Sequence, residues 1–244
     1  MNNNQRRYCG VLLHPTSLGG RYGIGDLGPH AYAFVDSLKD ANVRLWQILP
    51  LGPTGYGNSP YASRSTFAGN ELLLSLTLLA KEGYLSQDEI ASPPPFPTEA
   101  VDYSMVDAWK MPLLKKAAAN FIDKEGHNES YKTFCETNQF WLDDYALFMI
   151  LYEHYKDARW FSVWKKEDGT YSKMNVARLQ KKYEKKIEIW KVLQYFFETQ
   201  WQDLKAYANK SEVSIVGDIP IFVAADSVDT WSNIRLFKTD ESGH

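Results

Sequence analysis

Tyr56, Ser59 and Tyr61 lie close together in the stretch Leu49–Asn70, and Asp218 stands much later in the chain. An aromatic ring can lie flat against the apolar C–H face of a pyranose, while hydroxyl and carboxylate groups answer its hydroxyls. This combination suits a sugar better than a metal or a phosphate. The segment is stiffened by Pro50, Pro53 and Pro60, and Gly52, Gly55 and Gly57 permit its turns. Long ordered loops of this kind usually carry function, the alternative being a surface connection that is simply rich in Gly and Pro. Each residue has a plainer reading beside the chemical one. Tyr61 could be a rim or core tyrosine, and Asp218 a turn or capping residue. His14 reads more readily as an ordinary hydrogen-bonded histidine than as a substrate ligand.

Other chemistries find less support. No C-x-x-C, H-E-x-x-H, G-x-S-x-G or P-loop sequence occurs, so no metal site and no cofactor is expected. Gly23-Ile-Gly-Asp-Leu-Gly28 matches G-x-G-x-x-G, but eight residues separate it from the preceding apolar run at His14. A dinucleotide site needs its strand to run almost directly into the glycines and a following strand that ends in an acidic residue. The next run ends instead at Leu49-Pro50, so these glycines are expected to shape a loop leading into a helix. Asp226 and Asp229 are further carboxylates, less tellingly placed than Asp218.

The elements that must position these residues follow from apolar patterning. Cys9–His14, Arg44–Leu49 and Val213–Gly217 are short apolar runs that read as strands, and the first two look like strands of a parallel sheet covered on both faces. Between the first two, Ala31, Phe34, Val35 and Leu38 recur at helical spacing after Pro29. Strand, helix and strand form a βαβ unit, and the fold class is α/β. A short helix closed by Gly83 and an extended Ser92–Pro97 follow. From Val106 to about Lys210 the chain reads as mainly helical. Its three amphipathic stretches are Trp109–Phe121, Phe140–Tyr152 and the long Val176–Leu204. Ile219–Ala224 is a further apolar segment, and Ala225–Trp231 reads as a loop.

The chain has 244 residues with 44% hydrophobic content, enough for a substantial core, and a net charge of −3 that favours neither nucleic acid nor an anionic membrane. Cys9 and Cys135 read as buried thiols rather than a disulfide. No apolar stretch reaches the length of a signal peptide or a membrane span, so the cytoplasm is the expected compartment.

Three stretches carry a resemblance to a known family. Gly10-Val-Leu-Leu-His-Pro-Thr-Ser-Leu18, Trp46-Gln-Ile-Leu-Pro-Leu-Gly-Pro-Thr-Gly-Tyr-Gly-Asn-Ser-Pro-Tyr61 and Gly217-Asp-Ile-Pro-Ile-Phe-Val-Ala224, followed by Asp226-Ser227 and Trp231, resemble the 4-α-glucanotransferases (amylomaltases or disproportionating enzymes) of the α-amylase clan. Trp141–Phe148 fits the same pattern. The resemblance implies the N-terminal part of a (β/α)8 barrel, about strands 1–3, with a helical insertion between strands 2 and 3. Residues 1–70 would begin the barrel, 71–175 form the inserted subdomain and 176–244 resume the barrel. It further implies retaining transfer of α-1,4-glucan segments, with α-1,4-glucans and maltooligosaccharides as partners. By resemblance Tyr61 would be the platform for the glucose at the cleavage point, Asp218 a substrate-contacting carboxylate, and Ser59 and Tyr56 would line the glucan groove. The nucleophilic Asp and general-acid Glu are expected beyond His244. Residues 1–244 alone are therefore expected to be inactive and to associate with a complementary C-terminal fragment or with themselves. A non-catalytic glucan-binding module is the alternative. Asp107 occupies a position that is aromatic in relatives with a second glucan site, which puts such a site in doubt.

Overall fold

The computed structural model describes residues 9–126 and 128–238. In chain order the principal elements are β1 (Gly10–Leu12), α1 (Pro29–Asp40), β2 (Leu45–Gln47), α2 (Leu76–Lys81), α3 (Gln87–Ala91) and α4 (Tyr103–Glu125). They continue with α5 (Glu129–Thr137), α6 (Gln139–Tyr155), α7 (Lys166–Gly169), α8 (Lys173–Lys210), β3 (Ser214–Val216) and α9 (Val228–Ser232). The chain forms two compact units. One comprises residues 1–51, 72–113 and 197–219; the other comprises 52–71, 114–196 and 220–244.

The first unit holds a parallel sheet of order β1-β2-β3, with Trp46 opposite Val11 on one side and Ile215 on the other. Leu13 N–H to Gln47 O and Ile48 N–H to Val216 O, each 3.0 Å, continue the pairing past the strand ends. Helix α1 buries Ala31, Val35 and Leu38 at the predicted spacing. Phe34 meets the ring of Trp46 edge-on at 5.1 Å. Trp46 is fully buried, and its indole N–H donates to Leu13 O at 2.7 Å.

One expectation fails here. The strands are not covered on both faces: every residue of β1 is exposed, Leu12 by 55%, and Val216 of β3 is exposed as well. In a three-stranded sheet only β2 has neighbours on both sides, and the packing of α1 onto Trp46 shields one face. Cys9 is exposed for the same reason, just ahead of β1, and Cys135 is half-buried; both are free thiols.

The glycine-rich stretch after β1 is a packing device. A Cβ on Gly25 would lie 2.0 Å from Pro15 O, 2.6 Å from Leu18 O and 2.8 Å from Leu18 N, all backbone atoms. Gly25→Ala is therefore expected to cost about 2–3 kcal/mol, because the crowded partner is main chain and cannot rotate away. Urea unfolding of variant and wild type measures it. Asp26 in the same loop accepts from Gly28 N–H at 2.9 Å and sets the start of α1. It also faces Lys110 of α4, whose ammonium lies 3.7 Å away and donates to Leu72 O at 2.7 Å. Both side chains are buried. Burial pushes the Asp26 carboxyl up, against the pull of Lys110, and pushes the Lys110 ammonium down.

In the second unit α6 is buried nearly all round from Leu142 to Leu151, as a central helix must be. Trp231, also buried, donates to Gly169 O at 3.1 Å and packs against Phe148, Trp164 and Tyr171. Two details depart from the sequence reading. Phe140, expected on the apolar face of α6, is exposed. Residues 228–232, expected as loop, form α9, because Ser227 Oγ accepts from Thr230 N–H and caps it. Among the described residues no helix is long and apolar enough to cross a membrane.

Candidate functional site

The Gly- and Pro-rich segment is a braced loop, and its stem is built from main chain. Gly55 N–H donates to Ala62 O at 2.7 Å, and Arg64 N–H donates to Pro53 O at 2.9 Å. Thr54 and Ser63 form an antiparallel bridge. Ser63 Oγ donates within the stem, with Pro53 O at 3.1 Å and Ser65 O at 2.6 Å. The tip turns through a 3-10 turn at Tyr56–Asn58. Ser59 Oγ then accepts from Tyr61 N–H at 3.3 Å. Tyr56 is 89% exposed and Tyr61 48% exposed. The stem thus presents two aromatic rings to solvent on a backbone that has little freedom to move them.

The loop is anchored at its base by the helices of the same unit. The Arg64 guanidinium lies 4.2 Å over the Tyr152 ring of α6 and donates to its hydroxyl at 3.0 Å. Thr66 donates from both N–H and Oγ1 to Asp229, at 2.9 and 3.1 Å. Val228 N–H reaches Arg64 O at 2.9 Å. Gln194 of α8 pairs with both main-chain groups of Gly69: its Oε1 accepts at 2.8 Å and its Nε2 donates at 2.9 Å. Glu71, where the loop ends, is buried and accepts from Tyr145 Oη and Gln194 Nε2, each at 2.6 Å. Its carboxyl is pushed up to about 7 by burial, with these hydrogen bonds and the charge of Arg64 holding it back.

The remaining candidates fall as follows. Asp218 stands two residues past the end of β3, is exposed, and its Oδ1 accepts from Ile219 N–H at 2.8 Å. The apolar residues after it do not form a core segment: Ile219, Ile221, Phe222 and Val223 are exposed. Asp229 serves as a bracket for the loop, and burial raises its carboxyl. His14 departs from expectation in one respect, since its buried Nδ1 has no hydrogen-bond partner. Burial lowers that imidazole to about 4, so the ring is neutral at pH 7. Among the described residues no group of three or more His, Cys, Asp or Glu side chains is arranged to hold a metal ion.

Three residues of the bracing were missed in the sequence. Arg64 and Glu71 look like ordinary loop residues there. Gln194 carried a signal, because a polar side chain between Leu193 and Phe196 on an apolar face needs a polar partner.

Comparison with known proteins is consistent along the chain. The family described as 4-alpha-glucanotransferase matches residues 13–243. The 4-alpha-glucanotransferase of Synechocystis sp. is 42% identical over 237 residues, covering 96% of this chain and 47% of that protein. That of Thermus thermophilus is 42% identical over 243 residues, covering 97% of this chain and 47% of its own length. Among solved structures, the amylomaltase from Streptococcus agalactiae in complex with acarbose superposes with a TM-score of 0.91 at 39% identity, covering 98% of this chain and 48% of that one. The amylomaltase from Corynebacterium glutamicum, at 16% identity and a TM-score of 0.68, shares the fold. The chain spans about half the length of the curated relatives it matches. With a match that runs from residue 13 to residue 243, this chain belongs to the 4-alpha-glucanotransferase family.

Proposed function

We propose that this chain supplies a glucan-binding part of a 4-α-glucanotransferase, which moves α-1,4-glucan segments to a new 4-position with retention of configuration. The observation that carries the reading is the pair of exposed rings, Tyr56 and Tyr61, on a hydrogen-bonded stem. In this reading Tyr61 stacks on a glucose ring, and Tyr56 and Ser59 contact the chain of sugars. Asp218 contacts substrate from the end of β3. Strands β1, β2 and β3 are then the first strands of a (β/α)8 barrel, whose loops at the C-terminal strand ends carry substrate groups. Residues 1–70 begin the barrel, 71–175 form its helical insertion and 176–244 resume it. The cytosol is the proposed compartment.

Retaining transfer uses two carboxylates, a nucleophile and a general acid. Asp218 is the one strand-end carboxylate that the sequence offers for this chemistry, and the reading assigns it to binding. The polypeptide 1–244 taken by itself is therefore proposed to bind glucan without transferring it, and to gain activity with a complementary C-terminal segment. Self-association is the second way in which its exposed strand residues could be covered.

Titration of residues 1–244 with maltoheptaose, followed by tryptophan fluorescence, tests the binding claim. Tyr61→Ala should weaken it by about tenfold, the worth of one stacked ring. Unchanged affinity in Tyr61→Ala removes the assignment of that ring. Disproportionation of maltotriose by residues 1–244 alone refutes the proposed inactivity. A non-catalytic glucan-binding module is favoured instead if binding persists and the C-terminal half of a relative restores no turnover.

A further inference from the structure

We infer that Asp229 is a positioning residue for glucan binding: it clasps the second leg of the aromatic loop to α9, and through that leg fixes where Tyr56 and Tyr61 stand. The inference deepens the proposed function and rests on that reading for its link to glucan.

The loop is suspended unequally. Its first leg, Pro53–Gly55, bonds only to the second leg and into the tip. Pro53 O accepts from Arg64 N–H at 2.9 Å and from Ser63 Oγ at 3.1 Å, and Gly55 N–H donates to Ala62 O at 2.7 Å. Gly55 O accepts from Asn58 N–H at 3.2 Å. Among the described residues no hydrogen bond of Pro53, Thr54 or Gly55 reaches a helix of the unit. The first leg is therefore held in place by the second.

The second leg bears the outward bonds. Val228 N–H donates to Arg64 O at 2.9 Å. One carboxylate oxygen, Asp229 Oδ2, accepts from Thr66 N–H at 2.9 Å and from Thr66 Oγ1 at 3.1 Å. Two successive residues of α9 thus grip positions 64 and 66. Arg64 adds its side-chain contact with Tyr152, and Gln194 holds the chain further on, at Gly69.

Helix α9 is a firm support although it is only five residues long. Ser227 and Thr230 are buried. Ser227 Oγ caps the helix and donates to Ala224 O at 2.6 Å. Thr230 Oγ1 donates to Ala225 O at 2.7 Å, and the Trp160 indole N–H reaches the same oxygen at 3.0 Å. The buried Trp231 ties α9 to Gly169. A charged acceptor on such a base makes stronger hydrogen bonds than a neutral one. Asp229 touches the loop and not the rings. Without it the bonds between the two legs remain, but the stem can pivot about its base. Stacking on a sugar needs fixed planes, so affinity is lost while the core stays intact.

The test combines maltoheptaose calorimetry, amide hydrogen exchange and thermal melts on the full 1–244 chain. Asp229→Ala should weaken binding by about tenfold. Protection should fall at Thr66 and persist at Gly55, Arg64 and Trp231, whose bonds do not involve the carboxylate. Asp229→Asn still offers one oxygen to both donors and should restore affinity to within about threefold of wild type. A carboxylate whose charge acted directly on the sugar would not be rescued in this way. Thr66→Val removes the Oγ1 donor and keeps the N–H. It should weaken binding by about threefold alone and add nothing to Asp229→Ala. It decides the matter if Asp229→Ala does not fold. Ile150→Val trims a buried residue of α6 in the same unit, and should lower Tm while leaving affinity unchanged. The inference is overturned if Asp229→Ala binds like wild type, if Asp229→Asn is as weak as Asp229→Ala, or if Ile150→Val loses affinity equally. If wild type binds no maltoheptaose, the glucan reading fails, while the exchange pattern at Thr66, Gly55 and Trp231 still decides the clasp.

Discussion

Lys110→Met is expected to destabilise the chain by about 3–5 kcal/mol, because it leaves the buried Asp26 carboxylate without its cation. Lys110 is fully buried, and its ammonium bridges the Asp26 carboxylate and Leu72 O. Methionine fills a similar volume, so the loss is electrostatic and polar rather than a cavity. For a chain of 244 residues this corresponds to a fall in Tm of roughly 10 °C. The pH dependence gives a sharper signature. Asp26 already has its carboxyl raised by burial, with Lys110 holding it back, so removal of Lys110 raises it further. An acid raised in the folded state binds its proton more tightly there than in the unfolded chain. Stability therefore falls as pH climbs from the ordinary Asp value through the raised one. The deficit of Lys110→Met relative to wild type should be larger at pH 8 than at pH 5. Adding Asp26→Asn should recover part of the loss at pH 8. Calorimetric melts of wild type and the two variants at the two pH values decide this, and a deficit independent of pH would falsify the account.

Gly55→Ala should abolish most maltoheptaose binding, by tenfold or more, at a stability cost of only about 1–3 kcal/mol. A Cβ at Gly55 would stand 2.5 Å from Ala62 O, the acceptor of the Gly55 N–H bond that closes the stem. The Cβ is fixed by the backbone and its partner is main chain, so relief requires the stem to open. The residues between its two strands are Tyr56 to Tyr61, the proposed sugar contacts, so a small backbone shift moves both rings together. Positioning errors of this size are expensive when binding depends on stacked planes. Titration beside a thermal melt separates the two effects. Affinity that survives while Tm falls would show that the stem does not govern the rings.

These expectations differ in how much of them could be read from the chain alone. The three strands, the parallel pairing of the first two and helix α1 were legible, because short apolar runs and the Ala31–Leu38 spacing are local signals, while the place of the third strand came from the family resemblance. The family was legible as well, through the ordered Gly, Pro and Tyr residues of Trp46–Tyr61 and the two flanking motifs. Exposure was not. Ile219–Ala224 reads as a further apolar segment, yet Ile219, Ile221, Phe222 and Val223 lie exposed, since burial depends on what packs against a segment and not on its own residues.

The aromatic loop divides along the same line. Its residue types already said that it is rigid and carries rings. Pro fixes φ, and tyrosine and serine have the same chemistry wherever they lie. What holds it could come only from residues distant in sequence: Tyr152 under Arg64, Asp229 beneath Thr66, and Gln194 with Tyr145 around Glu71. A glutamate in a sequence is an ordinary acid. Burial raises the Glu71 carboxyl against the hydrogen bonds that hold it down, and burial is a property of the tertiary structure.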